Sequence, residues 1–423
     1  MRPELGNNFY FANQNNGVFD EIQRLIVAYE NGQPVAIEGN PGVGKNCAID
    51  AIARIIGKKI YRIRCTEETM ARDIIGSDKL AAEHSANGSV ATKTVFQPGP
   101  LMKAMQEQGI VVIDEANQLT PTVQKALNSA LEEERTIGDL EGNVDVKAPK
   151  EFGLFITYNP ETGVAKDDLE IAVKDRCKIV YFDEQPAELI TRMSLLKSGF
   201  FKLEDILDDT VSIRGAYKNN GTFHFAELKE DEWHKYKRDE PIEAENIQAY
   251  LFYDREKENQ LQTKNDQNEE YYQITKAIVK TIEDIKKLKK EGTTNIGQKL
   301  DLKLDKIGRL NVNIPSARLA IKLIQDYILL RKNEYQPKEV LSELVRSITD
   351  FTVPASERNL NIGETTMQKL IEHICMAHGI VDNSGIETLR KKMRKKSQNE
   401  LVRELMAKGY SERMAINLIE EHT

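Results

Sequence analysis

The sequence is short of what several large protein classes need. Its 423 residues include four cysteines, Cys47, Cys65, Cys177 and Cys375, and no two form a C-x-x-C pair. A disulfide framework or cysteine zinc site is therefore not expected, and the thiols read as small buried residues of a reduced compartment. The six histidines are scattered, with no H-E-x-x-H or other ligand spacing, and no nucleophile triad stands out. No apolar run approaches the roughly 18 residues that a membrane span needs. The opening MRPELGNNFYF lacks the apolar core of a signal peptide, so the expectation is a cytoplasmic protein with no membrane role. Basic residues (59) are outnumbered by acidic ones (67), for a net charge of -8, which implies no general nucleic-acid coat. No fixed-period repeat is found.

What is present is enough chain for two or three domains. Residues 18–31 carry apolar positions at helical spacing, GQPVAIEG reads as a short buried strand, and residues 45–57 read as a helix closed by Gly57. KIYRIRC alternates as a strand does. A helix over 97–108 leads to the apolar run GIVVIDEA, then come a helix over 120–134 and the buried strand FGLFITYNP. Strands alternating with helices at this spacing predict an α/β fold, a parallel sheet with helices on both faces. After about residue 186 the character changes to charged helices. They are interrupted at about 200–270 by a segment rich in charge, Asn and aromatics that holds the lone tryptophan, Trp233. The expected division is an α/β core over 1–185, a helical part over 186–353 with that insertion, and a helical tail over 354–423.

The strongest signal is Gly39-Asn40-Pro41-Gly42-Val43-Gly44-Lys45-Asn46, a G-x-x-x-x-G-K loop directly after a strand and opening a helix, with Cys47 next in line. Its glycines let successive N–H groups face the phosphates of a nucleotide, the helix N-terminus adds its positive end, and Lys45 reaches the β- and γ-phosphates. ATP and Mg²⁺ are the expected ligands. Position 46 departs from the pattern, which has Ser or Thr as a magnesium ligand. The amide oxygen of Asn46 is a longer substitute, and this puts magnesium affinity and turnover in question. Further on, the apolar strand IVVI ends in Asp114 and Glu115. Asp114 suits orientation of the metal, and Glu115 suits polarisation of the attacking water as general base. The pair by itself also suits a helix N-terminus. Asn159, ending FITYN, could hold the water or the γ-phosphate, with an Asn-Pro turn as the plain alternative.

These stretches, in this order, resemble the MoxR-type AAA+ ATPases, the group that includes the NorQ and CbbQ activases and the chelatase motor subunits. The likeness extends over about residues 9–353. It is carried by GNPGVGKN, Asp73-Ile74-Ile75-Gly76, FQPGPLMKAM, VVIDEANQLTPTVQKALNSALEEERTI, FITYNP, the DR pair of AVKDRC and Tyr335-Gln336-Pro337-Lys338-Glu339-Val340. The resemblance implies an αβα core with a helical lid and a homo-oligomeric ring, usually a hexamer. It implies that Arg176 is a finger reaching the neighbouring subunit's γ-phosphate and that Arg318 is a lid arginine reading the phosphates. It further implies that residues 76–96 are an insert facing the pore or the remodelled protein. Cys177 stands where the family usually has Phe. Relatives commonly act on a partner with a von Willebrand A domain, which makes such a protein an expected partner. Arg135 is a further candidate interface arginine. The run Arg390 to Lys396 could meet nucleic acid, though a solvated helix face is the plainer account, and residues 401–419 vaguely resemble a ubiquitin-associated-type module. Three functions follow: an ATP-hydrolysing ring motor that remodels a partner, a nucleotide-gated scaffold with little turnover because of Asn46, and a nucleic-acid motor.

Overall fold

The computed structural model describes residues 10–13, 19–84, 90–138, 145–159, 169–199, 201–219, 222–228, 248–258, 266–291, 313–359, 361–362 and 365–380. Trp233, the basic run and residues 401–419 lie outside them. The chain divides into two compact units, Met1–Glu184 with Leu207–Asn259, and Gln185–Ile206 with Gln260–Thr423.

The first unit is built on five parallel strands, numbered here along the chain: β1 (Val35–Gly39), β2 (Ile60–Arg64), β3 (Ile110–Asp114), β4 (Gly153–Tyr158) and β5 (Lys178–Phe182). Their order across the sheet is β5-β1-β4-β3-β2. The central strands read as continuous apolar runs because both faces are covered. On one face, helices Glu21–Glu30 and Lys45–Ile56 place Ile22, Leu25, Ile49 and Ile52 against Ile37, Val112 and Phe155. On the other, Leu101, Met105, Leu127 and Val173 pack against Val111, Ile113 and Ile156. This is the expected α/β core with a parallel sheet.

Between β2 and helix Pro100–Gln106 the chain makes an antiparallel ladder, Gly76–His84 with Val90–Pro98, where the family's insert is expected. Its base is tight. Gly76 has φ 133°, and a Cβ there would come 2.5 Å from the Gln97 carbonyl oxygen, so only glycine closes the ladder.

The segment read from the sequence as a lid insertion behaves differently. Strands Val211–Asn219, Thr222–Leu228 and Gln248–Tyr253 form an antiparallel sheet, and Gln248–Tyr253 pairs in parallel with Phe11–Asn13 at the start of the chain. Residues 207–259 thus group with the nucleotide-binding unit. The pairing joins ends of the unit that are far apart in sequence, so local pattern carries no trace of it.

The second unit is helical: Ala187–Lys197, Asp266–Glu291, Ala317–Lys332, Pro337–Thr352 and Met367–Ala377. Arg192 is fully buried, with its Nε 3.1 Å from Glu188, which also accepts from the Tyr272 hydroxyl. Helix Met367–Ala377, in the region read as a tail, buries Ile371, Ile374 and Cys375 within this unit, and His378 meets the buried Asp284 at 2.7 Å. Among the described residues, no helix is long and apolar enough to cross a membrane.

Candidate nucleotide site

The site lies at the ends of β1, β3 and β4. After Gly39 the chain turns through Gly42 (φ 90°) and Gly44 (φ 99°) before helix Lys45–Ile56 starts, with Gly44 as the N-cap. The left-handed backbone leaves the helix N-terminus uncapped by any side chain, as an anion-binding turn requires. Gly39 is fixed for another reason: a Cβ would lie 2.7 Å from the Phe182 carbonyl oxygen. Tyr10 packs behind the loop against Gly44, Val43 is buried beneath it, and Pro41, Gly42 and Cys47 are exposed. Asn40 Nδ2 donates to Glu184 at 3.2 Å.

Lys45 folds back across this loop. Its ammonium donates to the Gly39 carbonyl, to the Asn40 carbonyl at 3.3 Å and to Asn159 Oδ1 at 2.8 Å. Burial lowers its pKa to about 8, against the opposing pull of Asp114, Glu115 and Glu38. A desolvated cation ringed by carbonyls and carboxylates is held at the place where phosphate oxygens would replace them as partners.

The acidic pair is organised by a residue that sequence reasoning missed. Thr157 is buried on β4 beside the end of β3; its hydroxyl donates to Asp114 Oδ1 and accepts from the Glu115 amide at 3.2 Å. The available signal was a hydroxyl inside an otherwise apolar strand, one residue short of its end. Glu115 adopts a left-handed backbone (φ 58°, ψ 44°), uncommon for a side chain of its kind, and its carboxylate is exposed. The other oxygen of Asp114 accepts from Asn46 Nδ2 at 2.9 Å. Asn46 Oδ1 is buried and has no hydrogen-bond partner among the described residues. An orphaned carboxamide oxygen beside a carboxylate is a donor pair that suits a hard divalent cation, so these residues fit Mg²⁺. Cys65 lies beneath, with its thiol pushed up to about 12 by burial and by Asp114 and Glu115, which leaves it unreactive.

Lys45, Asn46, Asp114, Glu115 and Asn159 therefore share one cluster. Arg176 does not touch it. Arg176 ends the short helix Ile171–Asp175 half-exposed; its Nη1 donates to the Ala172 carbonyl at 2.8 Å and its Nη2 lies 3.5 Å from Glu132. Arg318 belongs to the second unit, exposed in the first turn of helix Ala317–Lys332. Arg135 is half-buried, donating to the Phe152 carbonyl at 3.2 Å and packing on Gly32 of its own chain.

A glycine loop between a strand and a helix, set in a parallel sheet of this order, defines a P-loop nucleotide-binding core. Residues 34–177 match the AAA domain of the dynein-related subfamily, so this segment is an AAA domain. The chain is 34% identical over 197 residues to midasin of Giardia intestinalis, a match covering 46% of this chain and 4% of that protein. It is 29% identical over 185 residues to CbbQ of Hydrogenophilus thermoluteolus, covering 44% and 66% of the two chains. It is 26% identical over 179 residues to the denitrification regulatory protein NirQ of Pseudomonas aeruginosa, covering 42% and 65%. The expected kinship with MoxR-type AAA+ ATPases is borne out by these matches. They span just under two thirds of CbbQ and NirQ and a small fraction of midasin.

Proposed function

We propose that the chain binds ATP with Mg²⁺ and hydrolyses it as one subunit of a homo-oligomeric ring, using the cycle to remodel or activate a partner protein in the cytoplasm. The observation that carries this reading is the single cluster in which Lys45 and Asn159 face Asp114, Glu115 and Thr157 at the open ends of β1, β3 and β4. Lys45 exchanges its carbonyl partners for the β- and γ-phosphates, and the loop amides from Asn40 to Cys47 receive the remaining oxygens. Asn46 and Asp114 would hold Mg²⁺, which when bound neutralises charge between the phosphates. Glu115 is exposed at the strand end with its backbone fixed by Thr157, and it takes the proton of the attacking water. Asn159 orients that water or the γ-phosphate. Arg176, directed away from its own chain's cluster, serves the neighbouring subunit, and Arg318 reads the phosphates from the helical unit. Kinship with CbbQ and a denitrification regulatory protein supports a partner-directed role, with a von Willebrand A domain protein as the first candidate.

A second reading has its own observation. The amide of Asn46 occupies an oxygen of Asp114 and sets a longer carboxamide where the pattern has a hydroxyl. On that reading the chain is a nucleotide-gated scaffold that binds ATP and turns it over slowly.

The deciding measurement is the steady-state ATPase rate per chain across protein concentration, beside Glu115→Gln. A rate that rises with concentration and vanishes in the variant establishes a shared catalytic site. Tight ATP binding with a rate equal to the variant's at every concentration establishes the scaffold.

A further inference from the structure

The last two residues of strand β4 and the one after it, Thr157, Tyr158 and Asn159, face alternate sides of the sheet. Thr157 and Asn159 serve the phosphate side, on Asp114 and Lys45. Tyr158 faces the opposite side, where it is buried in the cluster that contains Ile156, Ile113 and Val173 of helix Ile171–Asp175. A buried phenol must satisfy its hydroxyl, and this one donates to Glu38 Oε2 at 2.7 Å. Glu38 is its register partner on β1 and directly precedes Gly39, the first glycine of the loop. The ring of Tyr158 carries the Lys174 ammonium, 5.3 Å from its centroid. Lys174 belongs to the five-residue helix that ends at Arg176, and Arg176 is bonded to a carbonyl of that same helix. So short a helix has little cooperativity of its own, and its placement depends on what it packs against.

We propose that Tyr158 is a positioning residue that couples the phosphate end of the nucleotide site to the helix bearing Arg176. The proposal rests on the reading of Lys45 and Arg176 given above. Lys45 donates to the carbonyl of Gly39, the residue next to Glu38, and when Lys45 turns to phosphate that hold on the strand end is released. Glu38 then relies more on the Tyr158 hydroxyl, and the shift passes through the ring to Lys174 and the helix. One strand end thereby senses phosphate through Thr157 and Asn159 and reports it through Tyr158. The state of one site sets the arginine that serves the next.

The test combines binding of a fluorescent ATP analogue with hydrogen exchange over residues 171–177, in wild type, Tyr158→Phe and Glu38→Gln. Tyr158→Phe keeps the ring on Lys174 and removes the hydroxyl that reaches Glu38. In wild type, bound ATP is expected to slow exchange of this segment about fivefold or more, in line with ordinary coupling between sites. In Tyr158→Phe the analogue should bind within about threefold of wild type and basal exchange should match wild type, while the response to ATP disappears. Glu38→Gln should blunt the response in the same direction. A full response in Tyr158→Phe overturns the proposal, and so does a rise in its basal exchange, which marks a merely structural role. Wild type that binds ATP without any response at 171–177 overturns the coupling and leaves the nucleotide site standing. Failure of wild type to bind the analogue overturns both, and the fluorescence signal reveals it before exchange is read.

Discussion

Two of the adjacent Asp-Glu pairs in the first unit do opposite things. Asp20-Glu21 opens helix Glu21–Glu30 and is wholly buried. Asp20 Oδ1 caps that helix through the Gln23 amide at 2.9 Å, and its Oδ2 takes Arg214 at 2.7 Å and the Tyr250 hydroxyl at 2.9 Å. Glu21 accepts from the Tyr10 hydroxyl and from the Asn13 amide. Apart from the Gln23 amide, these donors come from segments that must be held: the strand Phe11–Asn13, the antiparallel sheet, or Tyr10 wedged behind the phosphate loop. Asp114-Glu115 sits where β3 runs out, with Glu115 exposed and Asp114 half-buried. The dipeptide is the same and the enclosure differs. Carboxylates surrounded by donors are spent on structure, whereas a carboxylate at an open strand end keeps capacity for a proton or a metal.

The comparison breaks most sharply on activity. Glu115→Gln should lower ATPase turnover about 10³-fold with nucleotide binding retained, the size expected for loss of a general base. Glu21→Gln should leave turnover within about twofold, since it touches no reacting group. Equal losses in the two variants would erase the distinction. The stability ranking should run the other way. Asp20→Ala strands Arg214 and uncaps a helix, and should cost about 3 kcal/mol in denaturant unfolding. Asp114→Ala should cost less than about 1 kcal/mol, because the site it leaves is open to water.

The legibility of the two pairs differs for a physical reason. The phosphate loop, β3 with its carboxylates and β4 with Asn159 could be read because each is a local pattern, a glycine turn or an apolar run with a polar end. Thr157 was passed over because a single hydroxyl in a strand says nothing until the strand order brings it beside Asp114. The structural role of Asp20-Glu21 depends on Arg214 and Tyr250, some 200 residues along the chain. No period or spacing encodes that approach, so residues 200–270 read as a separate insertion. The acceptor that Arg135 finds in its own chain, the Phe152 carbonyl, is equally invisible to local pattern.

Asn46 tests how free Asp114 is. Asn46→Thr removes the amide that holds Asp114 Oδ2 and offers a hydroxyl in its place. Turnover should rise about tenfold, and Mn²⁺ titrated against the nucleotide-bound protein should bind correspondingly more tightly. Unchanged metal affinity would mean that the orphaned carboxamide oxygen already serves as well as a hydroxyl.

A last test takes the buried pair by pH. Burial raises the Glu21 carboxyl from 4.5 to about 8, despite the hydrogen bonds from Tyr10 and Asn13 that pull it down. Between those values the folded chain holds a proton on Glu21 that the unfolded chain has released, so this group stabilises the fold most at low pH. The contribution is lost as pH rises through the window and is gone above about 8. Glu21→Gln keeps an acceptor for Tyr10 and cannot titrate. The melting temperature of wild type relative to Glu21→Gln should therefore fall by roughly 10 °C between pH 5 and pH 8 and level off beyond, the shift that about 4 kcal/mol gives in a unit of this size. Lys45, lowered to about 8 by burial, gives a slope of the opposite sign only above that value, and both proteins share it. Parallel melting profiles for the two proteins across the window would show that Glu21 is ionised in the fold, and the contrast with Glu115 would then rest on hydrogen bonding alone.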